Sequence, residues 1–105
     1  MGNFISLVDA KHGTFNIIDN DEYVGSALRD YGEYSEIELS VIQKIIKQGD
    51  HIFDIGANIG LFSVPFSKKV GDLGKVYCFE PQEFVYDLLV KNIKLNNLKN
   101  VKIFK

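Results

Sequence analysis

The chain has 105 residues, enough for one small domain around one modest core. Hydrophobic residues make up 46% of it and charged residues 25%, which excludes a disordered chain. The net charge of −2 offers little to a phosphate backbone, the single cysteine, Cys78, closes no internal disulfide and completes no zinc pattern, and no apolar run approaches the roughly 20 residues that cross a bilayer. The chain is therefore expected in a reducing cytoplasm, with no nucleic-acid partner, no membrane partner and no metal. "MGNFIS" fits the N-myristoylation pattern at Gly2, but no polybasic patch follows to supply the second anchor that stable attachment needs.

Residues 1–13 read as an irregular lead, and "TFNIID", Thr14 to Asp19, as a strand because apolar and polar residues alternate. A turn, a short helical piece and a glycine-containing loop follow to Tyr34. Ser35, with Glu38 three residues on, predicts a capping box. Behind it Ile37, Leu39, Val41, Ile42, Ile45 and Ile46 form a wide apolar face at helical spacing, expected to face the core, and Gly49 is the stop. "HIFDI", His51 to Ile55, predicts a short strand buried on both faces. The loop Gly56–Gly60 leads into a helix over about Ile59–Lys68, in which Pro65 sits awkwardly. "KVYCFE" predicts a second strand ending at Glu80, Pro81 opens a helix over about Gln82–Asn96, and "NVKIF" is a last strand. From His51 onward the pattern is βαβαβ, which implies parallel strands, right-handed crossovers and a ligand crevice at the carboxyl ends of the strands. Asp54 and Glu80, near the ends of successive strands, would both face that crevice.

The loop "GANIG" is one residue out of register with the G-x-G-x-x-G fingerprint of dinucleotide sites, and a pyrophosphate would meet Asp54 as a like charge. No G-K-[ST] follows, so a P-loop is excluded. S-adenosylmethionine carries no phosphate and has an ammonium and a sulfonium near its reacting end. Asp54 can pair with that cationic end, while the N–H groups of the loop take the ligand's carboxylate. Gly56 and Gly60 allow close backbone approach, and Asn58 tolerates a positive φ. Glu80, 20 residues past Gly60, stands where a carboxylate accepts the hydroxyl protons of a ribose. His12 and His51 are expected to be structural, Cys78 to be a small buried hydrophobe, and no catalytic base can be named.

"FDIGANIGLFS", "GKVYCFEP" and "NIKLNNLKNV" together resemble the FkbM family of S-adenosylmethionine-dependent methyltransferases, from about Gly13 to Phe104. The resemblance implies an α/β, Rossmann-like class I methyltransferase fold. It further implies S-adenosylmethionine as cofactor and methyl transfer to a hydroxyl of a sugar or natural product as small-molecule acceptor. Carried over residue by residue, Asp54, Gly56, Ala57, Asn58 and Gly60 match the first cofactor motif, and Glu80 the ribose-binding acid. Pro81 and Gln82 would flank the adenine. Tyr34 and Glu36 would close over the cofactor, although Ser35 intervenes where the family has the acid directly after the aromatic residue.

The expected organisation is a lead-in segment over residues 1–34, with a short strand, and an incomplete cofactor-binding βαβαβ domain over residues 35–105. The class I sheet has seven strands, and only its first three are expected here, so the strand at His51–Ile55 would leave an open edge for a second copy or a partner chain to cover. The chain is expected to be a fragment, or a unit that needs a partner. The alternatives are a non-catalytic remnant that serves as a binding module and, less favoured, an NAD(P)-dependent oxidoreductase.

Overall fold

A computed structural model describes residues 4–21 and 23–105, so Gly2 and its myristoylation pattern lie outside the described residues. Along the chain come β1 (Ile5–Ala10), β2 (Gly13–Ile18), α1 (Val24–Tyr31), α2 (Glu36–Ile45), β3 (His51–Ile55), α3 (Ser63–Val70), β4 (Lys75–Phe79), α4 (Glu83–Leu95) and β5 (Val101–Phe104). β3, β4 and β5 form a parallel sheet in that order, with Phe53 opposite Tyr77 and Phe79 opposite Phe104. α3 and α4 supply the two crossovers, which gives the α/β, Rossmann-like arrangement that the strand–helix alternation predicts.

Ile5–Ala10, within the irregular lead predicted for residues 1–13, is instead half of a hairpin. β1 pairs antiparallel with β2, Val8 opposite Phe15. Its strand character is completed by that pairing: Ile5 and Leu7 stay exposed, while Val8 and Ala10 are half-buried against the core. β2 turns Phe15 and Ile17 into the core. Its edge away from β1 is covered by the side chains of α4. Asn96 accepts from the Thr14 N–H (3.0 Å) and donates to the Thr14 carbonyl (2.8 Å). One helical turn earlier, Asn92 accepts from the Asn16 N–H (2.6 Å) and donates to the Asn16 carbonyl (3.2 Å). Two amides at i and i+4 thus stand in for a neighbouring strand, and the hairpin docks on α4 with its edge groups satisfied.

Four further details depart from expectation. Ser35 makes no side-chain cap bond; it sits in the left-handed region (φ 51°), whereas a capping hydroxyl needs an extended residue. Only part of the apolar face of α2 is buried: Leu39 and Ile46 enter the core, while Ile37 and Ile45 are 81% and 72% exposed. α3 starts at Ser63, later than predicted, because residues 59–62 belong to turns. That start makes Pro65 its third residue, where a missing N–H costs no intrahelical bond. β3 is buried on one face only. Ile52 and Asp54 face α3, while Phe53 and Ile55 are 68% and 73% exposed on a face that stays open among the described residues. An aromatic row runs across that open face: Phe53 meets Tyr77 edge-on with centroids 5.0 Å apart, and Phe79 stacks on Phe104 at 5.0 Å.

The turn into β4 leaves no room for a side chain. A Cβ on Gly74 would lie 2.4 Å from Val70 Cβ and 2.6 Å from the Asp50 carbonyl oxygen. Gly74→Ala is expected to destabilise the chain by about 2 kcal/mol through overpacking, read as a lower denaturation midpoint with an unchanged slope.

Candidate functional site

The end of β3, the loop after it and the lead-in before α2 enclose a cavity of about 190 Å³ lined by Val24, Tyr34, Asp54, Gly56, Ala57, Asn58, Leu61 and Phe62. It opens at the carboxyl ends of the parallel strands, where a crossover sheet places its ligands. A larger groove of about 440 Å³ lies at the other end of the sheet, between Ser67–Asp72 and Asn97–Asn100. Its Ser67 and Asn100 side chains bond each other, and the Asn100 amide also holds the Ser67 and Gly71 carbonyls, so it reads as a packing seam.

The loop has the backbone that the sequence predicts. Gly56 (φ 73°), Asn58 (φ 54°) and Gly60 (φ 98°) are all left-handed or nearly so. A Cβ on Gly60 would come within 3.0 Å of Leu89, whereas one on Gly56 would meet nothing within 4 Å. The loop's amides do something other than expected. The Gly56 and Ala57 N–H groups both donate to the Phe79 carbonyl (2.8 and 3.0 Å), the Gly60 N–H to the Ala57 carbonyl (3.0 Å), and the Asn58 N–H to Glu80 Oε1 (2.9 Å). These four donors hold the loop's own shape and are not free for a ligand carboxylate.

Of the expected site residues, Tyr34, Asp54, Gly56, Ala57 and Asn58 line the cavity together. Gly60 supports the loop from beneath. Glu80 is nearly buried, and its carboxylate braces the loop through Asn58 and the start of α4 through the Gln82 N–H (3.1 Å). Pro81 and Gln82 follow it, and Gln82 is the residue at which α4 begins. Glu36 is directed away from the cavity to the turn of the hairpin, where it pairs with Lys11 Nζ and His12 Nε2, each at 2.8 Å. The Lys11 ammonium, with His12, holds the Glu36 carboxyl below its ordinary range. Its exclusion from the site has a simple cause: Ser35 bends the chain in the left-handed region between Tyr34 and Glu36 and separates their directions.

Asp54 is half-buried, and burial raises its pKa above the ordinary carboxylate value, opposed by a hydrogen bond from Ser63 Oγ to its Oδ2 (2.5 Å). Behind that bond, the Cys78 thiol donates to Ser63 Oγ (3.0 Å). The sequence alone marks Cys78 as a small hydrophobe and assigns Ser63 no role. The one legible signal is a hydroxyl nine residues after Asp54.

An S-adenosylmethionine ligand fits this lining. The cavity presents a carboxylate, an aromatic ring and small loop residues, and no lysine or arginine lines it among the described residues. A dinucleotide's pyrophosphate would find Asp54 and no compensating cation there.

Comparison with known proteins agrees. The TRM5/TYW2 methyltransferase domain matches residues 29–104. The ribosomal protein L11 methyltransferase of Caldanaerobacter subterraneus is 34% identical over 74 residues, which is 69% of this chain and 23% of that protein. The structure of M. jannaschii TYW2 in complex with AdoMet superposes with a TM-score of 0.73 at 22% identity, covering 99% of this chain and 44% of that one. The complex of aTrm5 with tRNALeu superposes with a TM-score of 0.68 at 23% identity, covering 99% of this chain and 28% of that one. The chain thus spans less than half the length of each of these relatives, and its fold is the corresponding part of a Rossmann-like methyltransferase fold.

Two expectations change. The matching family is TRM5/TYW2, where the motifs suggested FkbM; those motifs serve the cofactor, which S-adenosylmethionine enzymes share, and carry nothing about the acceptor. The expected absence of a nucleic-acid partner is overturned by the match to TRM5/TYW2 and by the likeness to a protein solved with tRNA. The net charge of −2 is a poor gauge, because it averages over all 105 residues and does not describe any local surface. S-adenosylmethionine, the cofactor expected from Asp54 and the loop, is the cofactor of the family. The chain belongs to the TRM5/TYW2 methyltransferase domain family.

Proposed function

We propose that this chain is the cofactor-binding part of an S-adenosylmethionine-dependent methyltransferase that acts on RNA. The observation that carries the reading is Asp54, a half-buried carboxylate in a cavity with no cationic side chain among its described lining residues, at the mouth of a loop held by its own hydrogen bonds. Bound there, S-adenosylmethionine supplies an activated methyl group. Asp54 takes the cationic end, and Glu80, with two of about four acceptor positions already used, takes ribose hydroxyls. Tyr34 shields the open side of the cavity. RNA as the acceptor is supported by the family match and by the tRNA complex of a protein with the same fold.

The test is transfer of labelled methyl from S-adenosylmethionine to tRNA, with a ribosomal protein extract as the competing acceptor. Label in the tRNA supports the proposal, and label in protein alone overturns the choice of RNA.

Because burial holds the Asp54 pKa above its ordinary value, cofactor affinity should fall as pH drops from neutral through that raised value, since only the ionised carboxylate attracts a cation. The stability of the unliganded chain should move the opposite way. The folded state binds the Asp54 proton more tightly than the unfolded state, so this group's contribution grows as pH falls through the raised value and is lost as pH rises through it. Calorimetric affinity and denaturant midpoint, followed over the same pH range, should diverge; parallel curves would count against Asp54 as the titrating group.

A second reading, a binding module that acts only with a partner, is favoured by the open aromatic face around Phe53, Ile55 and Phe79. In that case the chain alone should bind a hydrophobic dye and self-associate, while tRNA methylation would require the added partner.

A further inference from the structure

Ser63 is the first residue of α3 and is fully buried. Its hydroxyl does not turn to the backbone of its own helix, where the Val64 N–H already donates to the Gly60 carbonyl and Pro65 has no N–H. It reaches back to the strand instead and meets Asp54 Oδ2 at 2.5 Å, while the Cys78 thiol from β4 approaches its oxygen at 3.0 Å. The three groups come from β3, α3 and β4, the successive parts of one crossover unit.

The polarity of this chain is fixed. An ionised carboxylate only accepts, so Ser63 must donate to Asp54 and its oxygen must accept from Cys78. Burial pushes the Cys78 thiol up to about 11, so the donor stays protonated at neutral pH. The remaining titratable groups near Asp54 are Tyr34, which lines the same cavity, and Glu80 at the next strand tip, whose carboxylate is turned to Asn58 and Gln82.

We propose that Ser63 is a positioning residue for cofactor binding: backed by the Cys78 thiol, its hydroxyl fixes the Asp54 carboxylate in the orientation that meets the cofactor's cationic end. This rests on the reading of Asp54 as a cofactor-binding group. One oxygen of Asp54 is pinned against the sheet, and the other is thereby held toward the cavity. A purely structural Ser63 would affect stability alone, whereas a positioning Ser63 also sets the pH at which Asp54 ionises.

The experiment uses the full chain unaltered and as Ser63→Ala, Ser63→Thr and Cys78→Val. Two quantities are read: the titration of the Asp54 carboxyl by carbon-detected NMR without ligand, and S-adenosylmethionine affinity by calorimetry across the acidic to neutral range. Ser63→Ala should titrate at higher pH and lose about tenfold in affinity at neutral pH, the worth of one hydrogen bond to a charged group, while Ser63→Thr should restore both. A folded Ser63→Ala chain with unaltered titration and affinity overturns the proposal. Should Ser63→Ala not fold, Cys78→Val removes the donor behind Ser63: an upward shift of the Asp54 titration supports the proposal, and an unaltered titration overturns it. If the unaltered chain binds no S-adenosylmethionine, the reading of Asp54 falls and this proposal with it, and the NMR titration separates that outcome from a failure at Ser63 alone.

Discussion

Replacing Asp54 with asparagine should weaken S-adenosylmethionine binding about thirtyfold at neutral pH, the cost of truncating one charge of a partly desolvated pair. The same change should leave the unliganded fold as stable as before or slightly more stable. The two effects have one cause. Asp54 is half-buried, its pKa is raised by that burial, and the Ser63 hydroxyl offsets only part of the cost of keeping the carboxylate charged. Asparagine keeps the shape and accepts the Ser63 bond through its carbonyl, so the fold loses little. It loses the negative charge, so the sulfonium and ammonium lose their partner. Calorimetry gives the first number and denaturant unfolding the second. A loss of affinity matched by an equal loss of stability would mean that Asp54 is a structural residue and not a ligand-binding one.

Asn92→Leu should destabilise the chain by about 3 kcal/mol or more, since each buried polar group left without its partner costs about 1–3 kcal/mol. Asn92 is fully buried and its side chain serves four groups on two residues. Its Oδ1 takes both the N–H and the side-chain amide of Asn16 (2.6 and 3.0 Å), and its Nδ2 donates to the carbonyls of Asn16 (3.2 Å) and Ile59 (2.8 Å). Leucine fills the volume but leaves the Asn16 N–H and carbonyl on the β2 edge, and the carbonyl of Ile59 in the loop, without partners. Asn92→Asp distinguishes the two ends: a carboxylate still accepts from Asn16 but no longer donates to Ile59. Hydrogen exchange should show the Asn16 amide lose most of its protection in the leucine variant and less in the aspartate variant. Equal protection in both would remove Asn92 as the link between hairpin and loop.

The parallel sheet was legible because each strand carries a dense apolar run and the second crossover helix has dipole-matched charges, Glu83 early and Lys94 late in α4. The loop was legible because glycine and asparagine are the residues that accept positive φ, and Gly56, Asn58 and Gly60 all do. What stayed hidden depends on partners far away in the chain. The strand character of β1 is completed by β2 beside it. The asparagines of α4 look like ordinary surface residues until β2 is seen to use them as an edge. Ser35 has the composition of a cap but not the backbone of one. Glu36 follows a site residue closely, yet one left-handed residue sends it to Lys11. The destination of the loop's N–H groups was misjudged for the same reason: glycine content reveals where backbone can bend, not which carbonyl, here that of Phe79, waits to receive it.

The open face of the sheet belongs to a different level of argument. A parallel strand reads as apolar throughout because both faces are covered in a complete sheet. Phe53 and Ile55 follow that rule in sequence, while α3 covers only the other face of β3 and β4. The residues therefore describe a sheet with more packed against it than the described residues supply.

The most direct test of the central claim is a calorimetric titration of this chain with S-adenosylmethionine, with NADH as the control ligand. Saturable binding of S-adenosylmethionine, weakened on acidification and weakened again by Asp54→Asn, is the predicted result. Saturable binding of NADH with no heat from S-adenosylmethionine would contradict it, because a cavity lined by Asp54 and lacking a lysine or arginine among its described residues would then be receiving a pyrophosphate.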